Sequence, residues 1–242
     1  MVDPRIHIIN ERLRNVRSTI AVSSGKGGVG KSLIASTLAL ILAKRGYNVG
    51  LFDLDFTSPS THIILGIKNA QPKEEHGIFP AKVYGLKYMS IIYYSGEHAT
   101  PLRGTDFSNA LTELLSTTIW NNLDFLILDM PPGIGDATLD LIRLIKNIRF
   151  LIVTTPSQLA FETVKKLTSL LKEMKIPIIG VIENMKIHES NFVKKHVQEM
   201  GITFLGDVQS YVEIENFLGN AKELLGSPFA KKIEKICEKL NF

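Results

Sequence analysis

Cysteine is almost absent from this sequence, and no long hydrophobic run occurs in it. The single cysteine, Cys237, excludes a disulfide framework within the chain and favours a reducing compartment. No apolar run approaches the roughly 18 residues that a membrane-spanning helix needs, and the arginine-bearing first residues contain no apolar core of the signal-peptide type. We therefore expect a soluble, cytoplasmic protein.

Charge of one sign is not in large excess either. The 28 Lys and Arg residues against 24 Asp and Glu give a formal net charge of +4 over 242 residues. Such a mild excess permits a nucleic acid or an anionic surface as partner but requires neither. No linker, internal repeat or low-complexity tract divides the chain, so we predict that residues 1–242 form a single domain.

Glycine, by contrast, is concentrated in one stretch that fits the phosphate-loop pattern G-x-x-x-x-G-K-[ST]. In such a loop the backbone N–H groups surround a phosphate, the final lysine reaches the β- and γ-phosphates, and the Ser hydroxyl can ligate Mg²⁺. The pattern therefore predicts a nucleoside triphosphate site. Its candidate residues are Gly25, Lys26, Gly27, Gly28, Val29, Gly30, Lys31 and Ser32.

The surrounding sequence has the setting that this loop requires. An apolar, β-branched run at 19–23 precedes it, and apolar residues at helical spacing follow it from Ile34 to Leu42. Short apolar runs then alternate with helical patterns, which predicts an α/β fold with a mostly parallel, doubly wound sheet covered by helices on both faces. Further strands are predicted at 49–52, 125–128, 150–153, 178–182 and 203–205, and helices near 106–118, 136–146, 159–174 and 189–200. Runs 78–83 and 86–91 flank Tyr84-Gly85 and predict paired strands, whereas 68–76 is polar and without a pattern.

Acidic residues end two of the predicted strands. Asp129 follows an apolar strand, as does an aspartate that holds Mg²⁺ through water, and Pro131, Pro132 and Gly133 after it form a candidate switch loop. Asp129 could instead cap the next helix. Asp53 ends another strand, near the predicted metal and phosphates, and Asp55 lies beyond it, where it could orient or deprotonate the attacking water. Alternatively, Asp55 only builds turn hydrogen bonds before Pro59.

Lys26 within the loop is similar to the second lysine of the deviant Walker A motif of the MinD/ParA/nitrogenase-iron-protein class. More narrowly, the chain resembles the Mrp/ApbC family of ATP-binding iron–sulfur cluster carriers. The segments that carry the resemblance are Asp53–Asp55 with Pro59-Ser60, Leu102–Gly104, Trp120–Asp124, Asp129–Asp136, Val153–Pro156 and Val181–Met185.

The resemblance implies a MinD-like (SIMIBI-class) P-loop NTPase that works as a homodimer around ATP and Mg²⁺, with slow hydrolysis and with iron–sulfur donor or acceptor proteins as partners. Lys31 in the loop pattern and Asp55 after its strand are the candidate catalytic residues of each chain, and the resemblance implies that Lys26 acts across the dimer on the partner's nucleotide. Asn184 matches the residue that recognises adenine, and Ser32, Asp53 and Asp129 would surround the metal. A solvated Lys26 and a merely structural Asn184 are the alternatives.

The sequence departs from this family at one point. Members that carry a cluster place a C-x-x-C pair shortly after the segment that ends here at Met185, but residues 186–195 contain no cysteine. A [4Fe–4S] cluster generally needs four thiolates, and a dimer would offer only its two copies of Cys237. We therefore do not expect this chain to carry an iron–sulfur cluster alone. His188 and His196, without thiolates nearby, are typical of surface histidines.

The sequence also permits other functions. The tail 228–240 carries an apolar stripe that can dock on the protein's own core, or bind lipid as basic amphipathic tails do. A MinD/ParA-like positioning ATPase with nucleotide-dependent attachment to membrane or DNA is therefore the main alternative. A biosynthetic ligase or amidotransferase on the same fold is another, although the sequence shows no second substrate motif.

Overall fold

The apolar runs of the sequence form the strands of a mainly parallel sheet. The computed structural model of the chain describes residues 3–95 and 105–240. Its strands are β1 Val16–Ser24, β2 Val49–Asp53, β3 Lys73–Glu74, β4 Ile78–Phe79, β5 Ala81–Val83, β6 Leu86–Ser90, β7 Leu123–Asp129, β8 Ile148–Thr154, β9 Ile178–Lys186 and β10 Phe204–Gln209. Within the described ranges, eight of these strands lie in the order β10-β9-β8-β1-β7-β2-β6-β5. All neighbours are parallel except β5 and β6.

Helices cover both faces of the sheet, as the alternating pattern predicted. They are α1 Arg5–Leu13, α2 Lys31–Lys44, α3 Thr61–Leu65, α4 Ile92–Ser95, α5 Thr105–Thr117, α6 Asp136–Leu144, α7 Gln158–Glu173, α8 Phe192–Glu199, α9 Ala221–Gly226, α10 Pro228–Cys237 and a 3₁₀ helix at Val212–Phe217. One face packs on α1, α5, α6, α7 and α8, and the other on α2, α3, α9 and α10. The α/β, doubly wound fold is therefore confirmed.

The hairpin region differs in part from its prediction. Tyr84 and Gly85, with φ of 50° and 79°, form the turn between β5 and β6 as expected. Ile78–Phe79, however, pairs with Lys73–Glu74 in a separate two-stranded sheet, so segment 68–76 contains a strand that the sequence did not reveal. Pro80 stands at the break, and its missing N–H explains why the run 78–83 does not continue as one strand.

The amphipathic tail docks on the protein itself. Phe229, Ile233 and Ile236 of α10 are buried in the core layer that contains α2. At the end of this tail Lys239 Nζ donates to the Leu205 carbonyl at 3.0 Å. The apolar stripe is thus covered by this chain in this structure. None of the helices in the described parts of the chain is long and apolar enough to cross a membrane. The segment Leu102–Gly104 lies outside the described residues.

Candidate nucleotide-binding site

The glycine loop joins β1 to α2, and close neighbours explain two of its glycines. A Cβ on Gly25 would lie 2.0 Å from Thr163 Oγ1 on α7, and one on Gly30 would lie 2.3 Å from Asn184 Nδ2. Gly28 and Gly30 also have φ of 75° and 78°, in the region that favours glycine. The loop is therefore shaped by contacts from distant elements as well as by its own turn.

Asn184 is one of these neighbours. It is buried near the end of β9, and its Nδ2 donates to the Val29 carbonyl of the loop at 2.9 Å. Met185 beside it has a φ of 58°. This backbone conformation is energetically unfavourable for any residue other than glycine, and it occurs often at functional sites. The structure thus brings the predicted Asn184 to the loop. Its recognition of adenine stays a prediction.

Lys31 and Asp129 form a buried ion pair where the loop meets β7. Lys31 Nζ lies 2.5 Å from Asp129 Oδ1 and 3.2 Å from Ser32 Oγ, and Lys31 is only 6% exposed. The three side chains come from the first turn of α2 and from the carboxyl end of a central parallel strand. This is the edge of the sheet at which such folds bind their ligands.

The second oxygen of Asp129 marks a place for a cation. Oδ2 is buried and has no hydrogen-bond partner among residues 3–95 and 105–240, although Ser32 is near enough to lower the pKa of this carboxyl. Burial raises that pKa, the neighbouring Asp53 raises it further, and Lys31 opposes both effects. An unpartnered carboxylate oxygen is unfavourable unless water or a cation meets it. Together with the Ser32 hydroxyl it fits a hard cation such as Mg²⁺.

Asp53 accepts hydrogen bonds that were not predicted from the sequence. Its Oδ1 accepts from Asp55 N at 3.1 Å, and its Oδ2 accepts from Ser60 N at 3.1 Å, Thr61 N at 3.0 Å and Thr61 Oγ1 at 2.7 Å. Both oxygens therefore hold the loop 54–60 and the start of α3. A role as Mg²⁺ ligand stays a prediction, and these four donors compete with it.

Asp55 lies inside the loop that Asp53 holds. Its Oδ1 accepts from Thr57 N at 3.2 Å, Thr57 Oγ1 at 2.7 Å and Ser58 N at 3.1 Å. The turn-building alternative for Asp55 is thus present in the structure. All the hydrogen bonds of this carboxylate to described residues end on Oδ1, so Oδ2 has no such bond.

Lys26 and the switch loop lie on the open side of the glycine loop. Lys26 is exposed, and its side chain has no hydrogen bond or ion pair within the described part of the chain. Gly133 N donates to the Ser24 carbonyl at 2.9 Å, and Pro132 would lie 3.9 Å from a Cβ on Gly27. The predicted Pro131–Gly133 segment therefore lies against the glycine loop, so a conformational change in one of these two segments can alter the conformation of the other.

A further polar feature, the side chain of Glu183, was not predicted from the sequence. Glu183 on β9 is buried, and both of its carboxylate oxygens lack a partner within the described residues. The only indication of it in the sequence was an acidic residue within an apolar strand.

The single thiol is not available as a metal ligand. Burial of Cys237 raises the pKa of its thiol to about 12. Within the described ranges, no group of three or more His, Cys, Asp or Glu side chains could hold a metal ion.

The glycine loop between a buried strand and a helix, with Lys31, Ser32 and Asp129 at the carboxyl edge of a parallel sheet, defines a P-loop NTPase fold. The family described as NUBPL iron-transfer P-loop NTPase (ParA) matches residues 15–241. The chain belongs to this family.

Similar proteins support the same membership. The iron–sulfur cluster carrier protein of Aquifex aeolicus is 43% identical over an alignment of 179 positions, which covers 72% of this chain and 49% of that protein. The iron–sulfur cluster transfer protein NUBPL of Dictyostelium discoideum is 34% identical over an alignment of 248 positions, which covers 94% of this chain and 77% of that protein. The chain spans about half the length of the Aquifex relative.

Solved structures share the fold. A nucleotide-binding protein from Archaeoglobus fulgidus in complex with ADP superposes with a TM-score of 0.78 at 27% identity, covering 94% of this chain and 96% of that one. The cell division ATPase MinD of Pyrococcus furiosus superposes with a TM-score of 0.68 at 19% identity, covering 93% and 98%. The MinD-like P-loop fold expected from the sequence is confirmed.

Proposed function

We propose that this protein binds ATP with Mg²⁺ and hydrolyses it slowly as a homodimer, in the assembly or transfer of iron–sulfur clusters. The observation that carries the proposal is the buried Lys31–Asp129 pair beside Ser32, with Asp129 Oδ2 unpartnered among the residues that the structure describes. Family membership and the ADP complex of the Archaeoglobus protein support adenine nucleotide as the ligand. We place this activity in the cytoplasm.

The glycine loop binds the phosphates in this mechanism. Its backbone N–H groups and the N-terminal end of α2 face the triphosphate, and Lys31 exchanges its ion pair with Asp129 for the β- and γ-phosphates. Ser32 directly, and Asp129 through water, would hold Mg²⁺, which neutralises charge on the phosphate oxygens. Phosphate binding thus separates Lys31 from Asp129. The Pro131–Gly133 segment, which follows Asp129 in the chain, then changes conformation at the protein surface.

Asp55 orients and deprotonates the attacking water. Three hydrogen bonds on Oδ1 keep its carboxylate in place, and Oδ2 is left for the water. Lys26 of the partner subunit supplies positive charge to the transferred phosphoryl group, as an arginine finger does. Its exposure and its lack of a partner among the described residues of its own chain support this role.

The iron–sulfur assignment rests on the names of relatives and on family membership. This chain lacks the C-x-x-C pair, and its only thiol, at Cys237, is buried. We therefore propose that donor or acceptor proteins supply the cluster ligands, while this chain supplies the nucleotide-dependent step. After anaerobic reconstitution with iron and sulfide in the absence of any partner protein, this protein should show no cluster absorbance. Stoichiometric iron and sulfide bound to it would contradict this division of labour.

Hydrolysis is tested with Asp55→Asn. The variant should bind ATP with unchanged affinity and lose turnover, because only the water-activating group changes. Asp106→Asn, an exposed acid on α5, is the control and should hydrolyse ATP at the native rate. Undiminished hydrolysis by Asp55→Asn would refute the assignment.

The dimer is tested by mixing two inactive variants. Lys26→Ala keeps an intact phosphate loop, whereas Lys31→Ala keeps the trans-acting lysine. If Lys26 acts across the interface, the mixture should recover part of the activity that each variant alone has lost. Failure of the mixture to recover activity would show that Lys26 does not act in trans.

Attachment to a membrane or to DNA remains the second candidate. The buried stripe of α10 speaks against a lipid-binding tail, because its apolar side chains already pack in the core. Sedimentation with anionic liposomes or with DNA, with and without ATP, should leave the protein in the supernatant. ATP-dependent co-sedimentation would favour the positioning function instead.

A further inference from the structure

A chain of buried hydroxyl groups lies behind the Asp55 loop. Tyr88 on β6 and Thr61 at the start of α3 are both fully buried, and Tyr88 Oη lies 2.9 Å from Thr61 Oγ1. Thr61 Oγ1 in turn lies 2.7 Å from Asp53 Oδ2. The function proposed above uses neither hydroxyl.

The direction of these bonds follows from the available protons. Asp53 Oδ2 already accepts from the backbone N–H groups of Ser60 and Thr61, so it is an acceptor, and Thr61 donates its single hydroxyl proton to it. The Thr61 oxygen then accepts the proton of Tyr88, whose phenol keeps that proton because burial raises its pKa above the ordinary value. Tyr88, Thr61 and Asp53 therefore form one directed chain of hydrogen bonds.

This chain ends on the segment that carries Asp55. One carboxylate, Asp53, binds Asp55 N with one oxygen and Ser60 N with the other, so it ties both ends of the loop together. The loop is also joined to the metal side of the site, since Leu54 N donates to the Asp129 carbonyl at 2.9 Å. The position of the Asp55 carboxylate relative to Asp129 thus depends on how Asp53 is held.

We propose that Tyr88 is a positioning residue for ATP hydrolysis: through Thr61 and Asp53 it fixes the loop that presents Asp55 to the attacking water. The inference rests on the proposed function, because it requires that Asp55 assists hydrolysis. Tyr88 itself contacts neither the glycine loop nor Asp129 in any hydrogen bond of the described structure. Its loss should therefore change turnover and leave nucleotide binding intact.

Tyr88→Phe removes the hydroxyl and keeps the ring. We expect kcat to fall by roughly three- to tenfold, the effect of losing one neutral hydrogen bond that orients a reacting group. The Kd for ATP and the Mg²⁺ concentration for half-maximal activity should stay within about twofold, a split that general loss of structure would not give. Thr61→Val should lower kcat at least as much, whereas Thr61→Ser, which keeps a hydroxyl, should restore it.

Tyr93→Phe is the matched control. Its ring packs against that of Tyr88 with centroids 5.9 Å apart, but its buried hydroxyl has no partner among the described residues. The variant should hydrolyse ATP like the native protein. An equal loss in Tyr93→Phe would mean that removing any buried hydroxyl at this place lowers kcat, whether or not it is hydrogen-bonded to Thr61, and would overturn the proposal.

Other outcomes separate this proposal from the function on which it rests. Native kcat in Tyr88→Phe, with Asp55→Asn inactive, would overturn the positioning role alone. Native hydrolysis in Asp55→Asn would overturn the proposed mechanism itself. If Tyr88→Phe does not fold, Thr61→Val against Thr61→Ser decides, since equal kcat in these two variants refutes the chain of hydrogen bonds.

Discussion

Replacing Glu183 by Gln should stabilise the protein, and the gain should grow as the pH rises. Glu183 is fully buried on β9, and neither carboxylate oxygen has a hydrogen-bond partner within the described residues. Lys186 forms its ion pair with the exposed Glu189 at 3.8 Å and does not neutralise Glu183 by direct contact. The ionised form of Glu183 is therefore held in an environment that disfavours charge.

The sign and size follow from proton linkage. Burial raises the pKa of Glu183 above its ordinary value of 4.5, Asp207 acts in the same direction, and Lys186 opposes them. The native state then holds the proton more tightly than the unfolded state. The free energy of unfolding therefore falls as the pH rises from the ordinary pKa of the unfolded state to the raised pKa of the native state. The loss is about 1.4 kcal/mol for each unit by which the pKa is raised. Gln cannot ionise and avoids this loss.

Urea unfolding between pH 5 and pH 8 measures the effect. The difference in unfolding free energy between Glu183→Gln and the native protein should be small at the acid end and increase towards pH 8. Other titrating groups, Asp53 and Asp129 among them, are common to both proteins and cancel in the difference if they do not interact with Glu183. Glu213→Gln, an exposed acid, is the control and should show a flat difference.

Two results would refute the reasoning. A difference that does not change with pH would mean that Glu183 ionises with the same ease in both states. Destabilisation by Glu183→Gln at every pH would mean that the carboxylate has a stabilising partner, such as bound water or a cation, which the amide cannot replace.

Three further predictions concern single residues. Asn184→Ala should lower the free energy of unfolding by about 1–3 kcal/mol, because the buried Val29 carbonyl loses its donor, and urea unfolding with native stability would contradict this. The buried Cys237 thiol should react with a chromogenic disulfide reagent at pH 8 only after unfolding; rapid reaction of the folded protein would show that the α10 packing opens. Lys175→Gly should stabilise the protein by roughly 0.5–1 kcal/mol, since Lys175 has a φ of 56° after α7, and a lower thermal midpoint would refute the strain argument.

Local patterns were enough to predict the parts of the site that are close in the chain. The glycine loop, Lys31 and Ser32 lie within one turn, so their spacing alone determines their arrangement. Asp129 could be predicted because the carboxyl ends of parallel strands meet at one edge of the sheet. The turn at Tyr84-Gly85 was predictable for the same reason as the loop, since two residues determine it.

Contacts between distant residues could not be predicted in this way. The strand position of Asp53 indicated a place near the metal, but it does not reveal that Ser60 and Thr61 turn their donors back onto the carboxylate. Nor does alternation along β9 show that Glu183 lacks a hydrogen-bond partner within the described ranges, while Asn184, on the opposite face, contacts the glycine loop. Each of these contacts depends on which helix, strand or loop packs beside the residue, and this packing cannot be predicted from a single sequence.

The two lysines of the glycine loop illustrate what the structure adds. Lys31 is buried and paired with Asp129, so a single chain already contains its electrostatic partner. Lys26, five residues earlier in the chain, is exposed and has no partner among the described residues. If both act on the same triphosphate from one chain, Lys26 would have to turn into its own site. A second chain facing the loop would provide the missing partner without that rearrangement, and for this reason we favour two chains as the working unit.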